Sequence, residues 1–153
     1  MSAFKYCPLV WMFCNKAANN QINKLHKRTL RLIYEMEDES FEDLLSMDNS
    51  WTVHENNIHA LLIEIYKSFN NINPPIMRDF FDLKNTPYDL RNNRLLKLPK
   101  TNTFRYGTQA LCFKGSLLWN QLPNQYKSIE NLELFKNQIK TWKPTTCSCK
   151  LCK

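Results

Sequence analysis

Two glycines, Gly107 and Gly115, serve a chain of 153 residues. At the usual frequency of roughly 7% about ten would be expected. Glycine adopts a positive φ without strain, so its scarcity argues against hairpin-dense β architecture and glycine-rich phosphate cradles. Rossmann turns are disfavoured for the same reason. Asparagine tolerates the left-handed region, is abundant here, and is expected to take over turn positions. Hydrophobic residues make up 43% of the chain and aromatics 12%, too rich a mixture for disorder. A chain of this length can bury a core without staples.

Helical signals dominate the first half. Over residues 20–36 the apolar positions Ile22, Leu25, Leu32, Ile33 and Met36, with Thr29 among them, fall in a sector of about 100° on a helical wheel. Ser40 is placed to cap a short helix beginning at Phe41, with Asp43 near the positive end of its dipole. Thr52 and Glu55 have capping-box spacing ahead of a longer helix. That helix carries Ile58, Leu61, Leu62, Ile65 and Phe69 on one face and is expected to stop near Asn70 and Asn71. Pro74 and Pro75 then suit the start of a short helix over 76–83, with Phe80 and Phe81 inward.

The second half is less regular. Residues 85–103 hold two prolines and no apolar period, as an extended connector would. Residues 104–113 contain β-prone side chains and suggest one or two short strands. Helices are expected over 115–121 and 128–142, the latter with Leu132, Phe135, Ile139 and Trp142 along one seam. Pro144 ends it. The expected fold is therefore mainly α, with a helical bundle-like N-terminal segment (1–84), the irregular connector (85–103), a small helical or α+β segment (104–146) and a Cys/Lys-rich tail (147–153).

Of the six cysteines, Cys7, Cys14 and Cys112 sit in apolar stretches, where a free thiol behaves as a small hydrophobe. Together with the lack of a secretory pattern, this points to a reducing, intracellular compartment, cytoplasmic or nuclear. The longest apolar run, residues 4–13, is interrupted by Lys5 and Pro8. A membrane span needs about twenty residues, so burial is the expected fate of this run. Cys147, Cys149 and Cys152 crowd the tail, and Cys149-x-x-Cys152 has the spacing that grips one tetrahedral zinc ion. Three thiolates leave such a site one ligand short.

Catalytic patterns are not found. The sequence contains no P-loop, no His-Glu-x-x-His and no Gly-x-Ser-x-Gly elbow. His54 and His59 would project about 140° apart on a helix, too far to share a ligand. The acidic run Glu35, Glu37, Asp38, Glu39, Glu42 and Asp43 reads as a solvated turn and helix start. The net charge of +7 favours a polyanionic partner. Lys24, Lys27, Arg28 and Arg31 lie opposite the apolar sector of their helix and could line a phosphate backbone; a solvated polar face explains them equally well. Tyr34 and Trp51 are potential stacking residues, although most aromatics in such a chain are core.

Several short stretches, in order along nearly the whole chain, resemble the C-terminal region of non-LTR (LINE-type, jockey-like) retrotransposon reverse transcriptases. They include Phe4-Lys-Tyr-Cys-Pro-Leu-Val-Trp11, Asn20-x-Ile-Asn-Lys-Leu-His-Lys-Arg28-x-Leu-Arg31, Pro74-Pro-Ile-Met77 and Tyr88-Asp-Leu-Arg-Asn92. Further on come Tyr106-Gly-Thr108, Gly115-x-x-x-Trp119-Asn-x-Leu-Pro123 and Leu132-x-x-Phe135-Lys-x-x-Ile139-Lys-x-Trp142-Lys143, followed by the cysteine tail. The resemblance implies a thumb-edge and post-thumb appendage of an RNA-directed DNA polymerase. Its partners would be RNA or DNA and the palm and fingers of the same enzyme, not a membrane. In that family magnesium is held by palm aspartates within an Asp-Asp turn, and no Asp-Asp pair occurs here. The resemblance thus carries over no catalytic residue and implies no enzyme activity for this chain alone. It adds zinc at Cys147, Cys149 and Cys152 as a family feature.

Overall fold

The computed structural model describes residues 7–13, 15–84, 94–103 and 106–143. Among them are seven α-helices and no strand: α1 (Pro8–Trp11), α2 (Lys16–Tyr34), α3 (Phe41–Met47), α4 (Val53–Phe69), α5 (Leu111–Gln121), α6 (Asn124–Lys127) and α7 (Leu132–Ile139). The fold is mainly α. The chain packs as two units that divide within α4, one in residues 7–58 and one in residues 59–143.

The helix ends follow from local chemistry. Asn15 caps α2 by accepting from the Ala18 N–H at 2.8 Å, so the helix starts four residues before the apolar period does. Ser40 accepts the Asp43 N–H at 3.1 Å at the start of α3. Thr52 and Glu55 form the expected reciprocal box: the Thr52 N–H reaches the Glu55 carboxylate at 3.0 Å and the Glu55 N–H reaches the Thr52 hydroxyl at 3.2 Å. Asn49 and Asn71 take positive φ values of 48° and 59°, as the glycine shortage demands. Glu35, at φ 55°, turns the chain at the end of α2. Neither glycine has a positive φ. Both sit where backbone meets a neighbour closely. A Cβ at Gly115 would lie 2.8 Å from the Phe81 ring, and one at Gly107 would lie 2.6 Å from Thr101 Cβ.

In the first unit, Leu30 of α2 packs with Leu44 and Leu45 of α3, and Tyr34 and Phe41 close over this cluster. Tyr34 Oη donates to Asp48 at 2.8 Å. The aliphatic sector of α2 is not the buried one. Its buried residues are Asn19, His26 and Leu30, while Leu25, Leu32 and Ile33 are 54%, 73% and 63% exposed. The six-residue turn after Tyr34 decides this. Glu35 reverses the chain, and an Arg31 guanidinium N–H donates to the Glu39 carbonyl at 3.2 Å. The turn brings α3 back onto the Leu30 face.

The second unit is built on the C-terminal part of α4. Leu61, Leu62 and Ile65 are fully buried there, as the periodicity predicts. Tyr66 stacks on Phe135 of α7 with centroids 4.3 Å apart, and Trp119 of α5 packs tilted against Phe69 and Phe135. Phe135 and Ile139 are buried on the expected seam. The helix expected over 128–142 is confined to α7: residues 128–131 are not helical, and Asn131, extended, caps α7 through the Glu133 and Leu134 N–H groups, while the separate short α6 ends at Lys127.

Two further expectations fail. Residues 76–83 form only a 3-10 turn at Pro75–Met77. Beyond it the chain extends and pairs Leu83 with Leu96 in an isolated antiparallel bridge, which turns Phe81 inward and leaves Phe80 48% exposed. The strands expected over 104–113 are replaced, among the described residues, by a 3-10 turn at Gly107–Gln109 and the start of α5. The Gly107 N–H turns back to the Thr103 carbonyl at 3.0 Å.

Candidate nucleic-acid interface

With about 100° of turn per residue, α2 presents three faces, a buried one about 40° wide and two about 100° wide. One is buried through Asn19, His26 and Leu30; one is the exposed aliphatic row; the third carries Lys24, Lys27, Arg28 and Arg31. The four cations thus share one helical face, but the structure gives them different surroundings. Lys24 and Lys27 border a concavity of about 280 Å³ together with Asn20, Asn23 and Phe41. Arg28 and Arg31 border a wider one of about 750 Å³ whose opposite side is Glu35, Glu37 and Asp38. Lys24, Lys27 and Arg28 make no ion pair among the described residues. Lys67 and Lys136, by contrast, are each paired at 2.6 Å within their own helix, with Glu64 and Glu133.

Arg31 is partly committed, since it donates to the Glu39 carbonyl. Tyr34 is committed as well. Its hydroxyl bond to Asp48 raises its own pKa, and the nearby Ser50 hydroxyl together with this bond holds the Asp48 carboxyl below its ordinary range. Such a ring, packed over the Leu30 cluster, is a core element and not a stacking platform. Phe41 lines the concavity beside Lys24 and Lys27 and carries no signal in the sequence beyond its place at the α3 start.

His26, His59 and Lys127 sit in packing or backbone contacts. His26 is 2% exposed and meets Phe41 edge-on at 5.4 Å, with neither ring nitrogen hydrogen-bonded among the described residues. Desolvation lowers its pKa, partly opposed by Asp48. His59 Nε2 lies 2.9 Å from the Trp142 carbonyl. Lys127 is buried, its pKa lowered by desolvation, and its ammonium donates to the Asn120 carbonyl at 3.3 Å at the end of α5. None of these converges on a shared cavity with a second reactive group.

The Gly115-x-x-x-Trp119-Asn-x-Leu-Pro123 stretch is a packing device. Gly115 admits Phe81, the Trp119 indole N–H donates to the Arg94 carbonyl at 2.8 Å, and Asn120 holds Leu96 by both backbone groups. Leu122 is buried and Pro123 leads into α6. The zinc-ligand candidates Cys147, Cys149 and Cys152 lie outside the described residues, as do Tyr88, Arg91 and Asn92. Among the described residues no three acidic, histidine or cysteine side chains come together as a metal site. No described helix is long and apolar enough to cross a membrane.

Comparison with protein-family models, curated proteins and solved structures finds no match to this chain.

Proposed function

We propose that this chain is a non-catalytic nucleic-acid-binding segment related to the C-terminal region of LINE-type reverse transcriptases. It would contact the phosphate backbone of RNA or DNA through α2 without reading sequence. The observation that carries this reading is the row Lys24, Lys27 and Arg28, three cations on one face with no ion pair among the described residues. Arg31 extends the row. Phosphate oxygens can neutralise such a face, and the counterions released make affinity fall with salt by about 0.7 log units per contact per decade for single strands. The ordered resemblance and the +7 charge support the same class of partner. On this reading, polymerisation and its magnesium belong to the palm of the enzymes that the segment resembles.

The test is anisotropy of a labelled 20-nucleotide RNA and of a DNA duplex across a salt series. Replacing Lys24, Lys27, Arg28 and Arg31 together by Gln should weaken binding at least ~10-fold at low salt and flatten the salt slope by roughly 2 to 3. An unchanged affinity would remove the basis of the proposal. The alternative, a helical interaction module without nucleic-acid affinity, draws on one observation: the aliphatic row of α2 is exposed. The apolar N-terminal run does not serve that reading as well. Val10 is 85% exposed, but Met12 is buried and Trp11 and Phe13 are partly covered.

A further inference from the structure

The concavity beside Lys24 and Lys27 is built from two elements of the first unit. Asn20, Asn23, Lys24 and Lys27 line it from α2, and their spacing of three, one and three residues sets them on one stripe of that helix. Phe41, the first residue of α3, supplies an aromatic wall. That ring is held in place by the fold. It packs against the Leu30, Leu44 and Leu45 cluster and meets the His26 ring edge-on at 5.4 Å. It is nonetheless only partly buried. A ring already fixed loses little freedom when a second ring stacks on it.

The rest of the lining suits a nucleotide. Lys24 and Lys27 bring two positive charges that no described residue pairs. The Asn23 side-chain oxygen is shielded from solvent and has no hydrogen-bond partner among the described residues, an unfavourable state for an acceptor. At about 280 Å³ the space lies just under the roughly 300–1,000 Å³ of ligand pockets, which suits one planar ring system and not a base pair. The wider concavity along α2 does not fit the same ligand. Glu35, Glu37 and Asp38 line it together with Arg28 and Arg31, so a phosphate drawn to the arginines meets carboxylates.

We propose that this concavity takes one unstacked base of a single-stranded nucleic acid, stacked on Phe41, while Lys24 and Lys27 hold the flanking phosphates. The Asn23 amide, which no bond anchors through its oxygen, turns to accept an N–H from the pairing edge of that base. The inference rests on the phosphate-binding reading of α2 and goes beyond it by assigning a preference for single strands. Bases in a duplex are already stacked and paired, so a duplex offers α2 its phosphates alone. Every base has a π face and an N–H on its pairing edge, so the pocket does not select sequence.

Anisotropy of labelled DNAs of equal length tests this on the full chain: oligothymidylate, the same backbone with every base removed, and the oligothymidylate–oligoadenylate duplex. The wild type should bind oligothymidylate about tenfold more tightly than the abasic strand, the worth of one base–aromatic stack. Phe41→Leu keeps an aliphatic side chain against the Leu30 cluster and should lose that preference, with affinity for the abasic strand and the duplex unchanged. Lys24→Gln/Lys27→Gln should weaken binding to all of them and keep the preference. In the wild type, the Phe41 ring resonances should shift with oligothymidylate and stay in place with the abasic strand, which reads the contact without a substitution. Equal wild-type affinity for oligothymidylate and the abasic strand overturns the proposal and leaves phosphate binding by α2 standing. So does a folded Phe41→Leu variant that keeps the preference, or a Phe41 ring that does not shift. A chain that binds none of these DNAs overturns both readings.

Discussion

Asn120 pairs with the backbone of Leu96 as a strand would. Its side-chain oxygen accepts the Leu96 N–H at 2.8 Å and its side-chain amide donates to the Leu96 carbonyl at 2.9 Å. On the other edge, the Lys84 N–H donates to the Leu95 carbonyl and the Lys97 N–H to the Asp82 carbonyl, both at 2.8 Å. A helix side chain thus extends the Leu83–Leu96 bridge into a three-part ladder. It holds Leu96, 1% exposed, in the core of the second unit.

Replacing Asn120 should therefore cost far more than an ordinary helix-surface change. Asn120→Ala strands a buried donor and acceptor, and Asn120→Asp sets an oxygen against the Leu96 carbonyl. Each is expected to destabilise the chain by about 2–4 kcal/mol in urea denaturation. The Leu96 amide should lose its hydrogen-exchange protection in both. Protection that survives in Asn120→Ala would mean the clamp contributes little.

Gly115→Ala separates local from tertiary reasoning. Within α5, alanine is favoured over glycine by about 1 kcal/mol from helix propensity. The added Cβ, however, would meet Phe81 Cε1 at 2.8 Å and Ile65 Cδ1 at 3.3 Å. Overpacking of this kind typically costs about 1–3 kcal/mol, so the net effect should be destabilising. A rise in thermal midpoint would show that Phe81 moves aside freely.

His26 should make the first unit acid-sensitive. Burial lowers its folded pKa below the ordinary 6.5, and the nearby Asp48 only partly offsets this. Below about 6.5 the unfolded chain binds a proton that the folded chain does not, so the unfolded state gains. Stability is fully present above 6.5, declines as pH falls through that value, and levels off once the folded imidazole is also protonated. The denaturation midpoint of wild type should fall between pH 7 and 5, and His26→Leu should remove that part of the slope. Equal slopes in the two proteins would place the acid sensitivity elsewhere.

The contrast between α2 and α4 shows what is readable in one dimension. On α4 the capping box, the buried row Ile58, Leu61, Leu62 and Ile65, and the stop at Asn70 and Asn71 are all legible, because each depends on residues within one or two turns. The same holds for Ser40 and for the Phe135–Ile139 seam. On α2 the apolar sector is equally clear, yet the structure buries Asn19, His26 and Leu30 instead. Periodicity reports which face is apolar. It does not report which face a neighbour reaches. The basic row is legible as a row, but the neighbours that distinguish Lys24 and Lys27 from Arg28 and Arg31 come from α3 and the acidic turn.

The glycine count by itself pointed to a mainly helical chain whose left-handed turns must use other residues, as Asn49 and Asn71 do, alongside Glu35 and Cys7. Capping and periodicity determined where α3 and α4 begin and which face of α4 is buried. Only the tertiary structure decided that both glycines serve close packing, that Trp119 and Asn120 clamp the connector, and that the aliphatic row of α2 faces outward. Those outcomes depend on contacts between residues far apart in sequence. Their energies are set by which surfaces meet, and no local preference encodes that.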